Sequence, residues 1–85
     1  MKDFEIAGGV FYKVPVEDAD ILLSFTREAA DVFGLRSRSQ RARIIVEDLE
    51  WIISQDAGDM RDHMTRQHAA EHFVARNFSL ISIAA

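Results

Sequence analysis

Residues 3–14 read Asp3-Phe4-Glu5-Ile6-Ala7-Gly8-Gly9-Val10-Phe11-Tyr12-Lys13-Val14, and their reading decides the fold. Phe4 and Ile6 alternate with charged residues. Val10, Tyr12 and Val14 alternate with Phe11 and Lys13. Period-two alternation is the pattern of a strand with one buried face. Ala7-Gly8-Gly9 separates the two runs, and Gly-Gly is a hairpin-turn signal because glycine takes positive φ without a Cβ clash. Two arrangements follow from this. Either residues 3–6 and 10–14 close a hairpin, or only Val10–Val14 is a strand and the residues before it are a lead.

Pro15 ends the second run and fits the first turn of a helix, where its missing N–H is not needed. Glu17, Asp18 and Asp20 follow, and acids in a first turn favour the helix dipole. Leu22, Phe25, Ala29, Val32 and Phe33 recur at three and four residues, so the pattern predicts a helix over 16–33, capped by Gly34. Ser37-Arg38-Ser39-Gln40 matches a capping box. Ala42, Ile45, Val46, Leu49, Ile52 and Ile53 make one apolar face of a second helix over 38–56, closed by Gly58, while Trp51 lies off that stripe. Asp59 reads as the N-cap of a third helix running to about Arg76. Met60, His63, Met64, Ala70, Val74 and Phe78 share its inner side. Leu80, Ile81 and Ile83, in the apolar tail 77–85, form a terminal strand or dock on the body. The predicted class is α+β, mainly α: a β-ribbon or hairpin, three helices and a short final strand, in one domain over 1–85.

The chain has 85 residues, 48% of them hydrophobic and 28% charged, which fits a globular domain and argues against disorder. A domain this small buries only a little above ~60% of its unfolded surface, so a second copy would stabilise it. The three helical stripes carry more large apolar residues than a small monomer covers easily. A homodimer is therefore expected. The absence of cysteine excludes disulfides, thiolate zinc sites and cysteine nucleophiles, and suits a reducing cytoplasm. Met1 and Lys2 lead directly into Asp3 and Glu5, so no signal-peptide core follows the start. No apolar run approaches the roughly 20 residues of a membrane span.

The formal net charge of −4 conceals a segregated pattern. Residues 1–35 and 44–62 are strongly acidic. Between them, Arg36-Ser37-Arg38-Ser39-Gln40-Arg41-Ala42-Arg43 holds four arginines and no acid. Free N–H groups at a helix start bind phosphate or carboxylate, and guanidinium groups add charge-assisted bonds. This run is the candidate anion grip. In the bland alternative, Arg41 and Arg43 pair within the chain, with Glu47, four residues on from Arg43, and with acids of the first helix.

Catalytic chemistry finds little footing. His68-Ala69-Ala70-Glu71-His72 fits the H-x-x-E-H pattern of inverted zinc peptidases, with both histidines on one helical face. Such enzymes need a further carboxylate ligand and a cleft that a chain of this size hardly builds. The string reads as a polar helix edge. His63 reads as a core or interface histidine. No serine sits in a Gly-rich elbow, and Gly8-Gly9 lacks the lysine and spacing of a phosphate loop. The reading is of a binding protein, not an enzyme, with no metal, no cofactor and no small-molecule substrate.

From Val10 to Ile53 the order of strand, proline, helix, glycine and serine-capped helix resembles the ribbon-helix-helix DNA-binding family, of the phage-repressor and antitoxin kind. Val10-Phe11-Tyr12-Lys13-Val14 looks like its ribbon, and Gly34 to Gln40 like its turn into the second helix. The resemblance implies a ribbon paired with its copy across a two-fold axis and entering the major groove of duplex DNA. Val10, Tyr12 and Val14 would then face the dimer core and Phe11 and Lys13 the bases. Arg36, Ser37, Arg38 and Ser39 would hold phosphates, with Arg41 and Arg43 beside them. In antitoxins of this type a C-terminal extension binds the toxin, a role open to residues 59–85. A hairpin with Asp3–Ile6 would occupy the edge that the partner ribbon needs.

The alternative is a small acidic protein that binds and blocks another protein. In character it is similar to anti-CRISPR inhibitors of phages and other mobile elements: compact, cysteine-free and catalytically empty. Its contact residues would be Phe11, Glu17, Asp18, Asp20, Glu47, Asp48, Glu50 and Trp51, presented to a basic partner surface.

Overall fold

The computed structural model describes residues 1–27, 39–55 and 65–83. In chain order they form β1 (Lys2–Ile6), β2 (Val10–Val14), α1 (Val16–Arg27), α2 (Gln40–Gln55), α3 (Arg66–Asn77) and β3 (Leu80–Ile83). The class is α+β, mainly α, as the pattern predicts. Residues 28–33 of the first predicted helix, the Gly34 cap, Arg36, Ser37, Arg38, Gly58, Asp59, Met60, His63 and Met64 lie outside the described residues.

β1 and β2 close the hairpin, with Ile6 opposite Val10, Phe4 opposite Tyr12 and Lys2 opposite Val14. Gly8 and Gly9 have φ of 90° and 75°, the left-handed region that only glycine enters cheaply. Alternation then sorts the faces. Phe4 and Val14 are buried, and Ile6 and Tyr12 pack against the same core. Asp3 and Lys13 face the other way and pair at 2.6 Å.

The C-terminal tail forms β3, antiparallel to β2, so the sheet order is β1-β2-β3. β2 has no edge left for a symmetry copy, because β1 returns at the diglycine turn and β3 fills the opposite side. Val14 and Tyr12, expected against a dimer axis, serve this chain's own core.

α1 packs on α2 and α3, α2 packs on α3, and the sheet joins them through β1 against α1 and β2 against α3. Leu22 and Phe25 of α1, and Ala42, Ile45, Val46, Leu49 and Ile52 of α2, are buried as the spacing requires. In α2 the Ser39 hydroxyl caps, accepting the Ala42 N–H at 2.9 Å. α3 is capped by Thr65, whose extended backbone lets its hydroxyl accept the His68 N–H at 3.1 Å. Its buried face is Ala69, Ala70, Phe73 and Val74, of which the pattern named Ala70 and Val74, and Phe78, also named, packs partly buried against the core. Phe78 ends α3 in an extended conformation and directs the chain into β3.

Candidate functional site

Two surfaces compete for the functional role: the arginine entrance to α2 and the outer face of the same helix.

At the entrance, Arg41 is committed within the chain. Its Nε donates to one Asp18 carboxylate oxygen at 2.9 Å and its Nη2 to the other at 2.6 Å. The Asp18 side chain is 1% exposed, that of Arg41 65%. The hydrogen bonds and then the charge of Asp18 raise the Arg41 pKa above its ordinary value, more than the slight burial lowers it. Asp18 is thus not a surface contact, which corrects the expectation that placed it there. The signal was present: Asp18 precedes Leu22 by four residues and Phe25 by seven, on the core-facing stripe of α1. The fork geometry of a guanidinium matches the carboxylate, so this pair fixes α2 against the first turn of α1. Ser39 is likewise used, as the cap. Lys13, the expected base-facing cation, is paired with Asp3 on the sheet. Arg43 is exposed and makes no ion pair among the described residues.

The outer face of α2 is built differently. At 100° per residue, Ile44, Glu47, Asp48 and Trp51 fall together, opposite the buried Ala42, Val46 and Leu49. Ile44 is 47% exposed and Trp51 55%, and Glu47 and Asp48 are exposed between them. Glu50 lies on the flank and is already engaged in an interaction. Trp51 also forms one wall of a cavity of about 250 Å³ between α2 and α3, lined by Asp48, Trp51, Ile52, Phe73, Arg76 and Asn77. The Asn77 amide donates to the Phe73 carbonyl at 2.8 Å, which fixes that wall. Asp48 and Arg76 form no ion pair among the described residues, so a carboxylate and a guanidinium both border an aromatic cavity of side-chain size.

Of the expected protein-contact residues, this surface unites Glu47, Asp48 and Trp51. Glu17 and Asp20 are exposed on α1, and Phe11 is half-buried on β2. Sequence reasoning missed Ile44, Phe73 and Arg76. Ile44 was findable, since it sits seven residues before Trp51. The α3 contributors were not, because the relative rotation of two helices is set by packing. His68 and His72 are exposed on α3, and the Gln67 amide donates to Glu71 at 3.3 Å. No cluster of three or more potential metal ligands occurs among the described residues, and no described helix is long and apolar enough to cross a membrane. No protein-family model, curated protein or solved structure matches the chain.

Proposed function

We propose that the protein is a non-enzymatic binding module that holds another protein through the outer face of α2, with Trp51 as anchor and Glu47 and Asp48 as an acidic rim. The single observation that carries this reading is the exposed Ile44–Trp51 stripe bordering the α2–α3 cavity. An exposed tryptophan next to a side-chain-sized pocket is the local composition of an interface hot spot. The flanking carboxylates select a partner whose surface is basic around an apolar or aromatic contact. The inhibitor or adaptor class fits this surface.

The duplex-DNA alternative draws less support. Both edges of β2 are paired, Lys13 and Arg41 are neutralised, and Arg43 is the one cation of the arginine run that stands exposed without an ion pair among the described residues.

The test is quantitative affinity capture from cells of the source with four proteins: wild type, Trp51→Ala, Glu47→Lys/Asp48→Lys and Arg43→Ala. A shared partner should be captured by wild type and Arg43→Ala and lost from the other two. Truncating a hot-spot tryptophan costs about 2 kcal/mol or more of binding, roughly 30-fold in affinity. Trp51 is more than half exposed, so its removal should leave the fold intact. Capture unaffected by the α2 changes, or salt-sensitive duplex binding abolished by Arg43→Ala, would overturn the reading.

A further inference from the structure

The two edges of the sheet are chemically unlike. β1 carries Lys2, Asp3 and Glu5, all exposed. Charged side chains along an edge discourage a second chain from pairing there. β3 reads Leu80-Ile81-Ser82-Ile83, with no charge and no proline, and all four residues are exposed. Leu80, Ile81 and Ile83 remain 49%, 47% and 66% exposed. Its inner edge pairs with β2, and among the described residues nothing pairs with its outer edge. Half-buried Val10 and Phe11, opposite Ile83 and Ser82, continue the uncharged patch.

We propose that this edge pairs antiparallel with β3 of a second copy, closing a two-fold dimer around a sheet of order β1-β2-β3-β3-β2-β1. The charge pattern selects this occupant. Each copy carries a net charge of −4, so two copies repel over most of their surfaces. They approach at least cost where neither bears charge. In an antiparallel self-pair a strand meets its own reversed sequence, and for Leu80-Ile81-Ser82-Ile83 every cross-strand pair is apolar or serine in any register. A foreign strand with charged residues finds no complement on this edge. The register shift at Phe11/Tyr12 leaves Ile81 as the extra residue, which twists β3. The shared ribbon is therefore short, with the two-fold axis at Ser82, which faces its own copy, and the dimer is weak and concentration-dependent. The inference rests on β3 alone and does not depend on the partner proposed for α2.

The absence of cysteine makes the test clean. Sedimentation of the full chain from low to high micromolar concentration should show a rise toward twice the chain mass. Ile81→Lys should weaken association by about tenfold or more, since it sets a charged side chain against the copy's uncharged strand, where no acid answers it. Ser82→Cys should form an intermolecular disulfide under mild oxidation, as facing residues in an antiparallel pair lie within disulfide reach, roughly 4.5–5.5 Å between Cα atoms. Ser54→Cys, exposed on α2, is the control that should not. A monomer at every concentration, including one that gains mass only with an extended peptide from another protein, overturns the proposal. So does a dimer in which Ser82→Cys and Ser54→Cys oxidise at the same rate. If Ile81→Lys fails to fold, the cysteine pair still decides.

Discussion

Replacing Arg41 with alanine should destabilise the protein more than replacing its partner Asp18. In the native pair both Asp18 oxygens accept from the guanidinium, at 2.9 and 2.6 Å, and the carboxylate is almost fully enclosed. Removing Arg41 leaves that carboxylate buried without its two bonds. Stripping one partner from a fully buried pair costs about 3–5 kcal/mol. The cost here is reduced, because Arg41 is largely exposed and water can enter the space it leaves. The first-turn position of Asp18 in α1 also favours its charge. We expect about 2 kcal/mol for Arg41→Ala. Asp18→Ala removes the buried charge itself, and the exposed guanidinium turns to water, so about 1 kcal/mol is expected. The double variant should match Asp18→Ala within about 0.5 kcal/mol, because nothing remains to be orphaned. Urea unfolding reads these values directly: with m near ~1 kcal/mol/M for so small a domain, the midpoints should fall by about 2 M and about 1 M. Equal losses, an Asp18→Ala loss that exceeds that of Arg41→Ala, or additive losses in the double variant would refute the reasoning. The raised pKa of Arg41 sets the pH dependence. Its stabilisation is complete below the ordinary arginine value and is lost only as pH rises through the higher folded value, so its charge gives no transition in the neutral range.

Three further outcomes follow from the geometry. Gly8→Ala should cost about 1–2 kcal/mol of thermal stability although a Cβ there meets nothing within 4 Å, because the penalty is the positive φ of the backbone; no change in melting temperature would contradict this. Phe25→Ala should cost about 3–5 kcal/mol, since the ring is fully buried, whereas Arg66→Ala, whose guanidinium lies 4.7 Å over that ring at the surface, should cost under about 1 kcal/mol. Thr65→Ala should lower stability by about 1 kcal/mol through the lost cap and Thr65→Ser should restore most of it, as judged by helical circular dichroism on heating.

Most of the architecture was legible where a single local rule governs. The Gly8-Gly9 turn, the two alternating runs, the proline start of α1 and the apolar stripe of α2 all follow from chain-local sterics and periodicity. The third helix was less legible. Its alanines are small enough to escape an apolar count yet pack closely, and either Asp59 or Thr65 is a chemically valid cap. The fate of the uncharged tail depended on a long-range pairing with β2, which no short window reveals. The candidate site shows the same division. Glu47, Asp48 and Trp51 declared themselves by falling off the core stripe, but the cavity beside them needed α3, whose approach is tertiary. Asp18 was the instructive error. It was grouped with its acidic neighbours by charge, when its spacing to Leu22 and Phe25 placed it on the buried side.

The central claim is that the outer face of α2 is where a partner is held. Site-specific photocrosslinking in cells tests it most directly, with a photoreactive phenylalanine analogue placed in turn at Trp51, Ile44, Lys13 and Arg43. The account predicts one common protein adduct from positions 51 and 44, absent or weak from 13 and 43. Adducts only from positions 13 and 43, or nucleic acid crosslinked there in place of protein, would contradict it.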